Sequence, residues 1–438
     1  MGGPETKAIK VQDVDEVSIA VEPRLSRRPK LEVALRPLRR PDFLKLWSGL
    51  AVSQMGSQVT QVAVAYQVYL LTHSALSLGL VGLFRFLPIT VAAFVAGPLA
   101  DARDRRVLML VTQSTLLINS VAMAVLSYQG LVTPAVIYAF VALSGLGFAF
   151  DGPARQSLVP SLVPAEQLTS ALSLNITVFQ LATVIGPGLA GLLLRYGGPA
   201  LAYAVDAVSF LGLLLALLRM DYRAPAQSKP LRISFSAFRD GLRFVASSPE
   251  ILWMMLLDFV ATFFAGSLLL LPVFADQILH VGVGGLGLLY AAPAVGAVLA
   301  AGSMAALPPV EREGPVVLGS VVVYGAAVAL FGAATSFPLA LLFLALSGAA
   351  DTVSMVVRNT IRQLRTPDSL RGRMTSLNQL FFVGGPQLGE VEAGVVARFT
   401  TPPLSVISGG LACIVASVAV GLTVPRLWRM RRLDTRGT

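Results

Sequence analysis

Apolar residues in this chain come in long blocks, and polar residues are mostly confined to the joints between them. Twelve blocks are long enough to cross a bilayer as helices, at approximately 44–71, 75–100, 106–128, 133–154, 168–195, 198–219, 250–275, 282–306, 314–335, 337–358, 373–400 and 403–426; about 20 apolar residues span the hydrocarbon core. Proline and glycine recur inside the blocks, as they do in membrane helices whose neighbours re-satisfy the backbone. Only the joint at 220–249 and, less so, that at 359–372 is long. The pattern predicts an all-α integral membrane protein of 12 transmembrane helices divided six and six. Residues 43–219 and 250–427 form the two bundles, and 220–249 links them. Within the linker, Phe235, Phe238, Leu242, Phe244 and Val245 alternate with Arg239, Asp240 and Arg243, which suits a helix lying in the headgroup layer.

An internal repeat supports the division. At one constant offset, and without a gap, Arg155 aligns with Arg358, Pro164 with Pro367, Ser173 with Ser376, Leu174 with Leu377 and Asn175 with Asn378. The same offset aligns Gly186 with Gly389, Ala190 with Ala393 and Gly191 with Gly394. Two related bundles arranged this way are pseudo-symmetric.

Composition removes the soluble alternatives: 55% of the 438 residues are hydrophobic and 13% charged, and the mean hydropathy is +0.73. The net charge of +10 is a matter of topology and not of nucleic-acid binding. If the N-terminus is cytoplasmic, all but three of the 34 lysines and arginines fall on the cytoplasmic side or at its membrane edge, the exceptions being Arg85, Arg195 and Arg398. The positive-inside rule therefore places both termini in the cytoplasm. Residues 1–42 lack the apolar core of a signal peptide and read as a basic, disordered cytoplasmic arm, with contact to anionic headgroups as a secondary role; 428–438 read as a cytoplasmic tail. The single cysteine, Cys413, and two separated histidines, His73 and His280, give no disulfide and no metal cluster. No nucleotide-binding loop is present, so no cofactor and no catalytic residue are expected.

Ionisable groups inside a span cost about 2.5–3.5 kcal/mol each on the insertion scale, and each calls for a reason. Arg85, Asp206, Asp258, Glu390 and Glu392 fall there. Glu390 and Glu392 are about 200° apart on a helix and do not share a face. Glu390 shares its face with Gln379 and Gln387, and the first span carries a second stripe, Gln54, Gln58 and Gln61. These stripes predict a wet cavity between the bundles, with Phe263 among the residues meeting the solute. The bland reading, interhelical hydrogen bonding, remains open for the glutamines. Asp258 and Glu390, with Arg85, are the candidate proton-coupling groups, since burial and a nearby cation move a carboxyl in opposite directions.

Between the second and third spans stand Gly97, Pro98, Leu99, Ala100, Asp101, Ala102, Arg103, Asp104, Arg105 and Arg106. An anion at a helix end, such as Asp101, suits the positive N-terminus of another helix, a pairing worth about 0.3–1 kcal/mol when exposed and about 2 when partly buried. The stretch resembles the signature loop of the major facilitator superfamily, G-x-L-A-D-x-x-G-R-R/K, with Asp104 in place of the second glycine. The resemblance implies the major facilitator fold, alternating access and a breakable cytoplasmic latch. Carried over onto this chain, Arg105 pairs with Asp151 and Asp101 faces the backbone near Met374, Thr375 and Ser376. Gly97, Arg106 and Arg155 complete the gate, which would hold the cytoplasmic side closed.

Three further stretches, Arg40-Pro41-Asp42-Phe43 with Gly56 to Thr60, Leu257 to Phe264 with Leu271 to Ala275, and Leu388 to Gly394, are similar to the siderophore exporters of that superfamily and their macrolide-efflux relatives. The resemblance implies a proton-coupled exporter of an amphipathic small molecule, in the cell membrane and monomeric, with protons, lipids and the solute as its partners. Proton-coupled uptake, lysophospholipid transport and a non-transporting receptor or scaffold are the competing expectations.

Overall fold

The computed structural model describes residues 31–222, 242–243, 245–266, 268–308, 310–366, 371–428 and 430. At 31, 93–94, 97–98, 100–102, 371–373, 375–377, 379–380 and 382 it describes the backbone only. The expectations for the 1–30 part of the arm, for linker residues 223–241 and for the side chains of Asp101 and Gln379 lie outside the described residues, and Gly97 is described as backbone alone.

The described chain is helical. The membrane-length helices are α1 (Pro41–Thr72), α2 (Ala75–Ala102), α3 (Arg105–Tyr128), α4 (Pro134–Leu158), α5 (168–197), α6 (199–218), α7 (Pro249–Ile278, broken), α8 (Gly282–Ala306), α9 (Glu313–Gly332), α10 (Phe337–Arg365), α11 (Arg371–Phe399) and α12 (Pro402–Thr423). Helices α5 and α6 run on as one hydrogen-bonded stretch, broken only at Gly198, whose φ of 64° and ψ of −168° lie in a region that glycine alone visits easily. Pro199 follows and opens α6. Helix α7 stops at Phe264 and resumes through short turns at Leu268–Leu270 and Leu271–Val273, and then a π-turn at Phe274–Ile278. Helix α1 is capped by His73 at a φ of 47°, and His280, two residues beyond the end of α7, has a φ of 51°.

By length and hydropathy, nine helical segments among the described residues qualify as membrane spans, and the one at Ala165–Leu218 holds both α5 and α6. Helix α1, which carries a glutamine stripe, lies outside that set.

Two six-helix halves follow from the packing. In the first, α1 lies on α5 and α6, α2 on α4, and α3 on α4 and α6; in the second, α7 lies on α11 and α12, α8 on α10, and α9 on α10 and α12. Small residues set these distances, as expected where lipid removes the hydrophobic drive between helices. Exposed stripes such as Val107, Val111 and Ile118 on α3 and Leu411, Val415 and Leu422 on α12 form the lipid-facing surface.

The halves meet along α2 with α11 and along α5 with α8, with smaller contacts of α7 to α1 and α2. One end of the molecule holds the arginine-poor joints at His73 and His280; the other holds Arg105, Arg155 and Arg358. The closest approaches lie toward the arginine-poor end. A methyl group at Gly287 of α8 would stand 2.6 Å from the Pro187 carbonyl and 3.0 Å from Gly191 Cα. A methyl at Gly394 of α11 would stand 2.9 Å from Gly79 Cα.

Candidate functional site

Along the seam, the glycines of α2 leave room for Glu390 of α11. Glu390 sits against Gly82, where a methyl would fall 2.7 Å from its Oε2. The residue is 8% exposed, and Oε2 has no hydrogen-bond partner among the described residues. One turn back, Gln387 Oε1 is also buried without a partner, as is the Tyr290 hydroxyl of α8. The charge of Arg85 acts on both Glu390 and Tyr290. Four polar groups from α2, α8 and α11 therefore gather at the junction of the halves. The face shared by Gln387 and Glu390 is readable in the sequence; Tyr290 is not, because a lone tyrosine in an apolar helix reads as packing.

Asp258 does not join that group. It forms an ion pair with Arg358 of α10 at 2.6 Å, with the two side chains 16% and 9% exposed, and Arg358 reaches Asp351 at 3.8 Å. The sequence groups Asp258 with Arg85 and Glu390 as proton-coupling candidates without showing them close; the cation beside Asp258 comes from its own half.

Aromatic rings line the same seam. Phe259 and Phe263 of α7 stack at 5.9 Å, Phe381 of α11 meets Phe259 edge-on at 5.9 Å, and Phe86 of α2 would stand 3.2 Å from a methyl at Gly384. On the first half, Gln58 donates to Thr183 of α5 at 3.3 Å, while Gln54 and Gln61 are half-buried. Gln67 belongs to a packed web, accepting from Tyr203 and donating to Ser127. Asp206 is likewise internal to the first half, accepting from Ser120 at 2.8 Å and buried.

The loop between α2 and α3 is built differently from the carried-over latch. Asp104 is the N-cap of α3 and accepts from the Arg106 backbone N–H at 2.9 Å, so the residue replacing the usual glycine closes the turn through its side chain. Arg106 donates to the carbonyls of Leu217, Leu218 and Tyr222 at the end of α6, where a cation meets the negative end of the helix. Arg105 donates to the Ser157 carbonyl at 2.9 Å, and Asp151 accepts from Gln113 at 2.8 Å. The expected Arg105–Asp151 contact is thus replaced here by separate partners. Arg155 is half-buried on α4.

At the arginine-poor end the halves are tied directly. The Tyr69 hydroxyl of α1 donates to Asp276 of α7 at 2.6 Å and accepts from Gln277 at 3.0 Å. Among the described residues no cluster of histidine, cysteine, aspartate and glutamate is grouped to hold a metal ion.

Two six-helix halves with crossings of small residues and a polar junction between them define a major facilitator-type secondary transporter. The chain belongs to the transmembrane secretion effector family, which it matches over residues 32–436. It is 28% identical to the enterobactin exporter EntS of Salmonella choleraesuis (strain SC-B67) over 392 residues, or 90% of this chain and 94% of the exporter. Its fold matches that of a point mutant of the nucleoside transporter NupG, with a TM-score of 0.68 at 12% identity, covering 87% of this chain and 99% of that one. It also matches a bacterial homologue of the iron transporter ferroportin in its inward-facing state, with a TM-score of 0.64 at 16% identity, covering 90% and 99%. The protein is a multi-pass membrane transporter of a small-molecule solute and not an enzyme.

Proposed function

We propose that this protein is a proton-coupled exporter of an amphipathic small molecule, working by alternating access, with both termini in the cytoplasm. Orientation follows from the arginines, which mark the cytoplasmic end. The enterobactin exporters are the relatives that favour export, and a siderophore as the solute.

The observation that carries the proton coupling is Glu390. A carboxylate is acceptor-only, and a buried acceptor without a donor is costly. Glu390 Oε2 and Gln387 Oε1 are two such acceptors on one face of α11. A proton on Glu390 turns one of them into a donor. When the halves separate at the arginine-poor end, Glu390 leaves Gly82 and meets external water, where it can exchange that proton. When they close, it loses that water and keeps Arg85 as its charged neighbour. Asp258, neutralised by Arg358, takes the role of a structural and solute-side charge. The arginine-rich loop, with Asp101, Arg105 and Asp151, exchanges partners as the cytoplasmic side closes.

The test is enterobactin uptake into everted membrane vesicles with an imposed inward-acid pH gradient. Gradient-dependent accumulation by the native protein, lost in Glu390→Gln with the protein still inserted, is the expected result. Accumulation indifferent to the gradient would defeat proton coupling and leave a downhill uniporter.

A further inference from the structure

A cleft lies toward the arginine-rich end of the second half, between α7, α10 and α11. Asp258 of α7, Arg358, Asn359 and Arg362 of α10, and Asn378 of α11 stand on its wall. Met254, Met255 and Met355 supply its apolar side, and methionine adapts to irregular shapes better than branched side chains do.

The charges in this cleft are not all spoken for. Arg358 is engaged with Asp258 at 2.6 Å and reaches Asp351 at 3.8 Å. Arg362, one turn further along α10, is half-buried and feels the charges of Asp258 and Arg358. Its guanidinium nevertheless makes no hydrogen bond or ion pair among the described residues, and neither do the side-chain amides of Asn359 and Asn378. The guanidinium is a rigid fork of N–H donors that stays charged at any working pH, and each amide adds two more donors. Donors from two helices thus face one cleft, whose one lining carboxylate, Asp258, is already paired with Arg358. Such a set of donors is the complement of a carboxylate, which a guanidinium fork binds through two parallel hydrogen bonds. The internal repeat sharpens the point. At the offset that aligns Arg155 with Arg358, Arg362 falls on Val159, which is buried. The fork is present in one half only, as a solute contact can be and a feature of the shared scaffold is not.

We propose that this cleft is the subsite for an anionic, carboxylate-class group of the transported solute, held by Arg362 and Asn378 while the methionine wall takes the adjoining apolar part. Arg358 screens Asp258 from the incoming anion. The inference rests on the reading that the chain moves an amphipathic solute, and it names the chemistry of one end of that solute.

The test uses the purified full-length protein in detergent and two probes of the same shape, benzoate and the uncharged benzamide. Thermal melting over a concentration series of each gives an apparent affinity. Benzoate is expected to raise the melting temperature in a saturable way, and benzamide is not. Arg362→Gln should weaken the benzoate response at least tenfold while leaving the melting temperature without probe unchanged. Asn378→Ala, on a different helix, should weaken it in the same direction, and this second variant decides the matter should Arg362→Gln fail to fold. Equal responses to the two probes, or a benzoate response untouched by either substitution, overturns the subsite. The assay contains no gradient and no vesicle, so it is indifferent to the proton on Glu390. Benzoate bound through Arg362 in a protein that moves no solute would sink the exporter reading and leave the subsite standing.

Discussion

Tyr69 of α1 and Asp276 of α7 share a hydrogen bond of 2.6 Å across the seam between the halves, at the end where arginines are scarce. A hydrogen bond to a charged group contributes about 1.5–3 kcal/mol, and each ~1.4 kcal/mol is a factor of ten in an equilibrium. Tyr69→Phe should therefore move the balance between closed and open forms at this end about tenfold toward open. Spin labels on cysteines placed at Gln129 and Thr335, both exposed in joints of opposite halves at that end, should report a longer distance in the variant. An unchanged distance distribution would show that the tie does not hold the seam.

The crossing of α5 and α8 gives a second, sterically independent way to open the same end. Gly287→Val places a branched side chain where even a methyl would lie 2.6 Å from the Pro187 carbonyl. The same label pair should again lengthen, and transport should fall. Gly284→Ala, three residues away on α8 with open space around it, should leave both unchanged.

Breaking the pair of Asp258 and Arg358 leaves a buried cation short of its nearer partner. Removing one member of such a pair typically costs about 3–5 kcal/mol; Asp351 at 3.8 Å should hold the loss for Asp258→Asn near the lower limit. The double variant Asp258→Asn with Arg358→Gln should recover most of it, as read from melting temperatures in detergent. A double variant as unstable as the single one would mean that the two side chains are not coupled.

Arg106 belongs to the signature stretch, yet its guanidinium spans the carbonyls that end α6. Arg106→Ala should lower stability by about 1–2 kcal/mol, the range for a helix-terminal charge and its hydrogen bonds. The label distance between Gln129 and Thr335 should stay as it is. A large change of that distance with unaltered melting would return Arg106 to the gate.

The helices are legible in the sequence because each is a solvent problem solved locally: an apolar run long enough for the bilayer, ended by residues such as Gly198 and Pro199 that cannot continue it. Even so, the break in α7 after Phe264 escapes the apolar pattern, although Gly266 and Pro272 stand there. Side-chain partnerships are harder to read. That Glu390 and Gln387 share a face follows from helical periodicity; that they lie beside Arg85 and Tyr290 depends on where α2, α8 and α11 cross. Asp258 takes its partner from α10, and Arg106 from α6, for the same reason: the choice is made by tertiary packing between distant segments. Asp104 is readable in principle, since an aspartate just before a helix is a common N-cap, but the resemblance draws attention to the glycine it replaces.

The polar character of α1 has a consequence for how the chain is made. It precedes α5, α6 and α7 in the chain, and it does not rank among the apolar spans of the described residues. Left alone in lipid it would hold Gln58 without Thr183 and Tyr69 without Asp276, and those partners are synthesised more than a hundred residues later. Gln58 therefore gains its hydrogen-bond partner only when α5 docks against α1, which ties the settling of the earlier helix to the arrival of the later one.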